Sequence, residues 1–219
     1  MALLQTVRGM LADSERPGSL GQRARAKRSD KLMATFPDLA SMRVLDLGGG
    51  PPFWRGFAVR PAHVTVLNLL HLEAPEPWIE TVAGDACAPP PAISAGHYDL
   101  VVSNSVIEHV GGHVQRQRFA DVVQTAAERH WVQTPYRYFP VEPHWLCPGM
   151  QFLPLRVRAS LARHWPLSPA RSGTLAEAVE NAASVELLSL TEMRFYFPSS
   201  QLWYERIGGL VKSVTAIQN

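Results

Sequence analysis

Hydrophobic and polar positions follow two rhythms along the chain. Short apolar runs rich in Val and Leu recur at Arg43–Leu47, Val64–Leu69, Tyr98–Ser103 and Arg129–Thr134, with a briefer one at Thr81–Ala83. Runs of this kind, apolar on both faces, are the signature of buried strands in a parallel sheet. Between the last two, Gln115–Arg129 places apolar residues at 119, 122, 123, 126 and 127, a helical spacing. Strand, helix, strand in this order predicts right-handed crossovers and a doubly wound α/β sheet. Residues 19–36 have helical character with basic positions on one side. Residues 135–173 break the rhythm with seven prolines and hold a short helix within Gln151–His164. Residues 176–190 read as a helix end and connector. Gln201–Arg206 and Leu210–Ile217 then form an antiparallel pair joined through Gly208-Gly209. The expected architecture is a seven-stranded sheet whose last strand is antiparallel, with a Pro- and aromatic-rich insertion after strand five. That insertion falls on the carboxyl-end side of the strands, where open α/β sheets bind ligands.

Composition narrows the class. The 219 residues carry a net charge of +2, with 18% charged and 46% hydrophobic. This excludes a disordered chain and a nucleic-acid coat protein, whose basic excess is far larger. One domain over 1–219 is expected, with 1–36 as a helical lid or cover and 135–173 as the substrate-side insertion. Residues 1–31 hold seven basic against three acidic side chains, which leaves the rest of the chain slightly acidic. That segment reads as a solvated cover, a lid, a dimer contact or a contact for an anionic substrate. No apolar run is long enough to span a membrane, and MALLQTVRGMLADSERPGS lacks the sustained apolar core of a secretory signal. Two cysteines, Cys87 and Cys147, read as reduced thiols of a cytoplasmic protein. The 18 prolines and 8 histidines exceed ordinary usage.

The first strand ends in VLDLGGG, with Asp46, Gly48, Gly49 and Gly50. Glycines there let a ligand approach backbone N–H groups closely. Pro51-Pro52 follow, so this is not the dinucleotide fingerprint, and no P-loop Lys is present. With Gly84-Asp85-Ala86 after the third strand and Ser103-Asn104 after the fourth, the pattern resembles class I S-adenosylmethionine-dependent methyltransferases over residues 40–135. The resemblance implies a Rossmann-like methyltransferase fold with S-adenosylmethionine as cofactor. Asp46, Gly48, Gly49 and Gly50 would face its methionine and ribose portions. Asp85, flanked by Gly84 and Ala86, would accept from the adenine amine, and Ser103 and Asn104 would rim the methyl group. Asn68 stands where the family carries a ribose-binding acid; it departs from the pattern but still offers hydrogen bonds. Trp54 would border the cofactor.

Ser105-Val106-Ile107-Glu108-His109 follows the fourth strand, and Thr134-Pro135 with His144 follows the fifth. Neighbouring strand ends would bring Glu108, His109 and His144 together. The layout resembles the ubiquinone-pathway O-methyltransferases and the plant small-RNA 2′-O-methyltransferases, which place a divalent metal on a Glu-x-x-Glu-His run. Ser105 replaces the first Glu. The resemblance implies Mg²⁺ or Mn²⁺ on Glu108, His109 and His144, the same three residues serving catalysis, with His144 as base or ligand. His113 is a weaker candidate. The insertion, TPYRYFPVEPHWLCPGMQFLP, resembles small bacterial sugar O-methyltransferases of the methylmannose polysaccharide type. It would offer Tyr136, Arg137, Tyr138, Glu142 and Trp145 to a sugar, although its aromatic rings could equally form a satellite core. The expected function is O-methylation of a sugar or oligosaccharide hydroxyl. Nucleic acid is disfavoured as substrate, and a homodimer is a further expectation. Metal-free methylation of a small aromatic or carboxylate metabolite, or an inactive cofactor-binding partner subunit, are the alternatives.

Overall fold

The structure is a computed structural model and describes residues 18–74, 76–168 and 172–219. Strands β1 (Arg43–Leu47), β2 (His63–Asn68), β3 (Ile79–Ala83), β4 (Leu100–Asn104) and β5 (His130–Pro135) come first, followed by β6 (Val141–Glu142), β7 (Cys147–Pro148), β8 (Gln201–Ile207) and β9 (Leu210–Gln218). The helices are α1 (Leu20–Thr35), α2 (Pro51–Arg55), α3 (Pro91–Ser94), α4 (His113–Ala126), α5 (Leu155–His164), α6 (Leu175–Ala183) and α7 (Leu190–Tyr196). The main sheet has the order β3-β2-β1-β4-β5-β9-β8. β1 to β5 are parallel to their neighbours, β9 is antiparallel to β5, and β8 is antiparallel to β9.

The two-residue strand period splits the apolar runs between two cores. Leu45, Leu47, Val101 and Val132 face α4 and α7, meeting Phe119, Val123 and Met193. Val44, Val66, Val102 and Trp131 face the other way, against Trp54 and the Leu32 and Phe36 side chains at the end of α1. Each large side chain removed from water in this way contributes about 1.5–3 kcal/mol. Both faces being covered explains why the central runs show no polar alternation.

All seven main-sheet strands lie where the apolar runs predicted them. The intervening helices are less regular than expected. α2 is short, begun by prolines at its first positions and ended at Gly56. Among the described residues no helix joins β2 to β3, and the prolines around 89–91 limit α3 to four residues. Two elements escaped the periodicity. The hairpin β6–β7 is too short to show any, and α7 begins where the expected connector ends, in a stretch to which the periodicity assigns no element. Ser189 and Glu192 form a capping box at α7, as Thr174 and Glu177 do at α6. Ser-x-x-Glu and Thr-x-x-Glu are visible in the sequence and mark these helix starts.

The basic residues of α1 do not all face water. Arg23, Lys27 and Lys31 are exposed, whereas Arg25 and Arg28 are half-buried. Arg28 meets the buried carboxylate of Glu205 on β8 at 3.1 Å, where Lys212 and the Ser213 hydroxyl also converge. This cluster fixes α1 across the sheet, and residues 1–17 of the expected cover lie outside the described residues.

Candidate active site

The glycine turn after β1 is set by two close approaches. Gly48 adopts φ +77°, and a Cβ there would come within 2.6 Å of the Val106 side chain. A Cβ on Gly49 would collide with the Asp46 carboxylate. That carboxylate is buried, accepts from Trp54 Nε1 at 2.8 Å and from the Gly49 amide, and is pushed by burial up to about 7. Asp46 thus braces the turn from beneath, and Trp54, expected to border the cofactor, is its buried partner.

Asn68 explains its own departure from the family pattern. Its Nδ2 donates to the carbonyls of Gly49 (2.8 Å) and Gly48 (3.2 Å), while its Oδ1 accepts from the Leu70 amide. A carboxylate has no proton to donate to those carbonyls. Gly48, Asn68, Gly84, Asp85, Ala86 and Ser105 line one cleft of about 320 Å³, together with His109. Asp85 is exposed there, with one oxygen accepting from the Cys87 amide. On the other side of the turn, Asp46, Gly49, Gly50 and Asn104 line a second cavity of about 260 Å³. Arg25 of α1 also lines that cavity. Its position was not legible, because it depends on how α1 crosses the sheet.

Ser103 is a correction. It is fully buried and its hydroxyl donates to the Leu47 carbonyl at 2.9 Å. The strand period turns it into the core, and Asn104 and Ser105 stand at the rim instead. Ser105 has φ +60° and donates its hydroxyl to Gln133 Oε1. A left-handed residue other than Gly costs about 1–2 kcal/mol.

Glu108, His109 and His144 do come together, with one ligand atom from each lying within 4.8 Å of the others. The imidazole rings meet edge to face, 4.9 Å apart. His109 Nδ1 lies 3.1 Å from the Ser184 carbonyl, which can only accept, so Nδ1 carries the proton. His144 Nδ1 lies 2.6 Å from Glu142 Oε1. Each ring therefore offers Nε2 as its ligand atom. Glu108 is buried; Oε2 accepts from the Thr134 hydroxyl at 2.8 Å, and buried Oε1 has no hydrogen-bond partner among the described residues. Burial pushes its carboxyl pKa up, against the pull of the two histidines. An orphaned carboxylate oxygen beside two imidazoles, each oriented through Nδ1 by an oxygen, is a donor set that could hold a divalent cation. Ser184, 75 residues from its histidine, left no sequence signal. His113 is elsewhere, bonded to the Tyr196 hydroxyl at 2.8 Å.

Several expected substrate contacts change role. Glu142 is buried, with its oxygens taken by His144 and by the Trp145 amide (2.9 Å). It positions His144 on the turn of the β6–β7 hairpin, each of its oxygens already accepting a hydrogen bond from within that turn. Trp145 is buried among Cys147, Met150, Ala162 and Leu187, so for this ring the satellite core prevails. Tyr136 is half-buried against Tyr138, which is exposed and stacks on Phe152 at 5.8 Å. Arg137 is exposed and lines a polar cavity of about 490 Å³.

No protein-family model and no curated protein matches the chain. Solved structures do. Magnesium protoporphyrin IX methyltransferase from Synechocystis PCC 6803 with bound SAH is 12% identical, with TM-score 0.51 over 90% of this chain and 83% of that one. The same enzyme with bound SAM gives 10% identity and 0.50, over 90% and 79%. A protein of Rhodobacter sphaeroides provisionally assigned as a Zn-dependent alcohol dehydrogenase is 11% identical, with TM-score 0.55 over 87% of each chain. These likenesses establish the fold. The antiparallel β9 inserted between β5 and β8 separates it from the all-parallel 3-2-1-4-5-6 dinucleotide sheet. The chain has the Rossmann-like fold of S-adenosylmethionine-dependent methyltransferases.

Proposed function

We propose that the protein is an S-adenosylmethionine-dependent O-methyltransferase acting on a hydroxyl of a sugar or glycan, assisted by a divalent cation. One observation carries the reading: His109 belongs both to the cleft beside the glycine turn and to the Glu108–His109–His144 cluster. The two cavities flanking the turn suit the two halves of the cofactor. Asp85 and Asn68 serve the adenosine side, and Arg25 faces the methionine carboxylate on the other, a charge-assisted contact. Two imidazoles make the metal set softer than the all-oxygen sets Mg²⁺ takes, so Mn²⁺ is favoured of the pair.

In the reaction the acceptor oxygen forms a bond to the cofactor's methyl carbon as the sulfur–carbon bond breaks. The sulfonium becomes a neutral thioether, and the hydroxyl proton leaves to a base. A bound divalent cation would supply Lewis acidity toward that hydroxyl. Glu108 contributes charge held dry by burial, Thr134 fixes its second oxygen, and Ser184 and Glu142 fix the rings. The 2.6 Å contact between Glu142 and His144 Nδ1 favours a second, metal-free reading, in which His144 Nε2 takes the proton and Glu142 steadies the imidazolium. Among the described residues no helix is long and apolar enough to cross a membrane, and Cys87 and Cys147 are free and buried, which agrees with a cytoplasmic setting.

Titration with S-adenosylhomocysteine tests the cofactor, and absence of binding removes the whole reading. Methyl transfer to a panel of sugars, with and without chelator, tests the metal. Activity lost on chelation and restored by Mn²⁺ is expected; indifference to chelator selects the His144–Glu142 base. His144→Ala abolishes turnover on either reading while leaving cofactor affinity within about twofold, because His144 lies outside both cofactor cavities.

A further inference from the structure

The insertion after β5 exposes apolar side chains in a row. Phe152 is 52% exposed, and Leu153, Pro154, Leu155 and Val157 are exposed beyond it. Tyr138, 57% exposed, stacks on Phe152 and widens the row. A lone apolar side chain in water is ordinary, whereas adjoining ones mark an interaction surface. The fold holds these residues out of the core. Gln151 donates Nε2 to the carbonyls of Arg137 (3.0 Å) and Phe139 (2.7 Å), which ties the row to the segment carrying Tyr138. The Leu153 amide donates to the Met150 carbonyl at 3.1 Å, and Met150 is buried beneath with Trp145 and Ala162.

The same stretch is basic. Residues 143–176 contain four arginines and no Asp or Glu, so the rest of the chain is net negative. On α5, Arg156, Ser160 and Arg163 share one exposed face, with His164 beside them. Ala159 and Ala162 take the opposite, buried face, and Ala159 packs with Ala178 and Ala182 of α6. Among the described residues neither Arg156 nor Arg163 has an ion-pair partner. Glu186 and Glu192, which border the same cavity as Phe152 and Leu153, are paired with Arg116. The exposed face of α5 therefore carries uncompensated positive charge next to the apolar row.

These two features suit one kind of surface. In the headgroup layer of an anionic bilayer, aliphatic and aromatic side chains enter the acyl boundary while guanidinium groups meet lipid phosphates. A nucleic acid would satisfy the charges but leave Leu153, Leu155 and Val157 in water, since bases stack on aromatic faces. A surface contact of this kind needs no spanning helix.

We propose that this face, Tyr138 and Phe152–Val157 with the exposed arginines of α5, docks on an anionic membrane surface. The inference stands apart from the methyl-transfer reading, because it concerns binding to lipid and needs no cofactor.

The test is co-sedimentation of the full chain with vesicles of phosphatidylcholine and of phosphatidylcholine with equimolar phosphatidylglycerol. The protein binds the mixed vesicles about tenfold or more tightly, and raising salt from about 0.1 M to about 0.5 M weakens that binding. One arginine near an anionic surface is worth about fivefold, so the double variant Arg156→Gln, Arg163→Gln binds about 25-fold more weakly. Leu155→Ser weakens binding about fivefold by removing an apolar side chain from the acyl boundary. Circular dichroism checks that each variant is folded. Both arginines are exposed, so their variant decides the matter even where Leu155→Ser does not fold. Absence of binding to mixed vesicles overturns the inference, as does equal binding to phosphatidylcholine alone. Wild-type vesicle binding by the folded arginine variant also overturns it, since the contact then lies elsewhere on the chain. Binding to a single-stranded RNA but not to vesicles overturns it in favour of a nucleic-acid surface.

Discussion

Asp46→Asn isolates the cost of keeping a carboxyl group dry beneath the glycine turn. Burial raises the Asp46 pKa from 3.8 to about 7, outweighing its two N–H donors, Trp54 Nε1 and the Gly49 amide. The folded protein therefore holds this proton more tightly than the unfolded chain does. The stability it contributes is complete below pH 3.8 and is lost as pH rises through about 7. Each pH unit in that window removes about 1.4 kcal/mol. Between about pH 5 and about pH 8 the wild type thus loses about 3 kcal/mol from this group, a large part of the ~5–15 kcal/mol that holds a domain folded. Asn is neutral throughout. It keeps an acceptor for Trp54 but turns an amide N–H₂ toward the Gly49 N–H, a lost hydrogen bond worth about 1–3 kcal/mol at any pH. Urea denaturation followed by tryptophan fluorescence, on both proteins at both pH values, measures the outcome. Every other titrating group is shared, so the difference between variant and wild type moves in the variant's favour by about 3 kcal/mol from the lower pH to the higher. A difference that stays constant refutes the reasoning, since it means Asp46 ionises as it does in the unfolded chain.

His130 acts in the opposite direction. Burial lowers its pKa from 6.5 to about 4, so its contribution is present above 6.5 and is lost as pH falls through about 4. His130→Asn removes that loss, and denaturation curves at about pH 7 and about pH 4.5 should show the variant gaining about 3 kcal/mol on the wild type at the lower pH. Unequal movement of that size is absent if His130 Nδ1, unpartnered among the described residues, is reached by water. Arg25→Ala should weaken S-adenosylhomocysteine about tenfold with little change in melting temperature, the loss of one charge-assisted contact from a half-buried helix position; unchanged affinity by titration would remove Arg25 from the cofactor site.

What the sequence determined by itself is the sheet. Apolar runs of strand length with no polar alternation announce strands covered on both faces, and all seven main-sheet strands sit where those runs lie, down to the Gly208-Gly209 hairpin. The glycine turn was equally legible, because a chain reversal with φ +77° at Gly48 beside the Val106 side chain leaves no alternative residue. Local capping signals at Thr174 and Ser189 were present as well, though the apolar pattern announces no helix over α7. The sequence also marked Glu108, His109 and His144, by their places after adjoining strands.

Only the tertiary structure decided what each side chain does at those places. Burial and partner choice depend on atoms far away in the chain. Glu142 reads as a sugar contact until the hairpin turn folds His144 and the Trp145 amide onto its two oxygens. Ser103 reads as a rim residue until the strand period faces it into the core against Leu47. Ser184 orients His109 across 75 residues, and Arg25 reaches the glycine turn because the Arg28–Glu205 cluster fixes α1 across the sheet. Periodicity is a property of neighbours a few positions apart, so it specifies strands and turns. The proton positions and the unmet donors and acceptors that make a site are set by long-range contacts, which the folded sheet alone brings within reach.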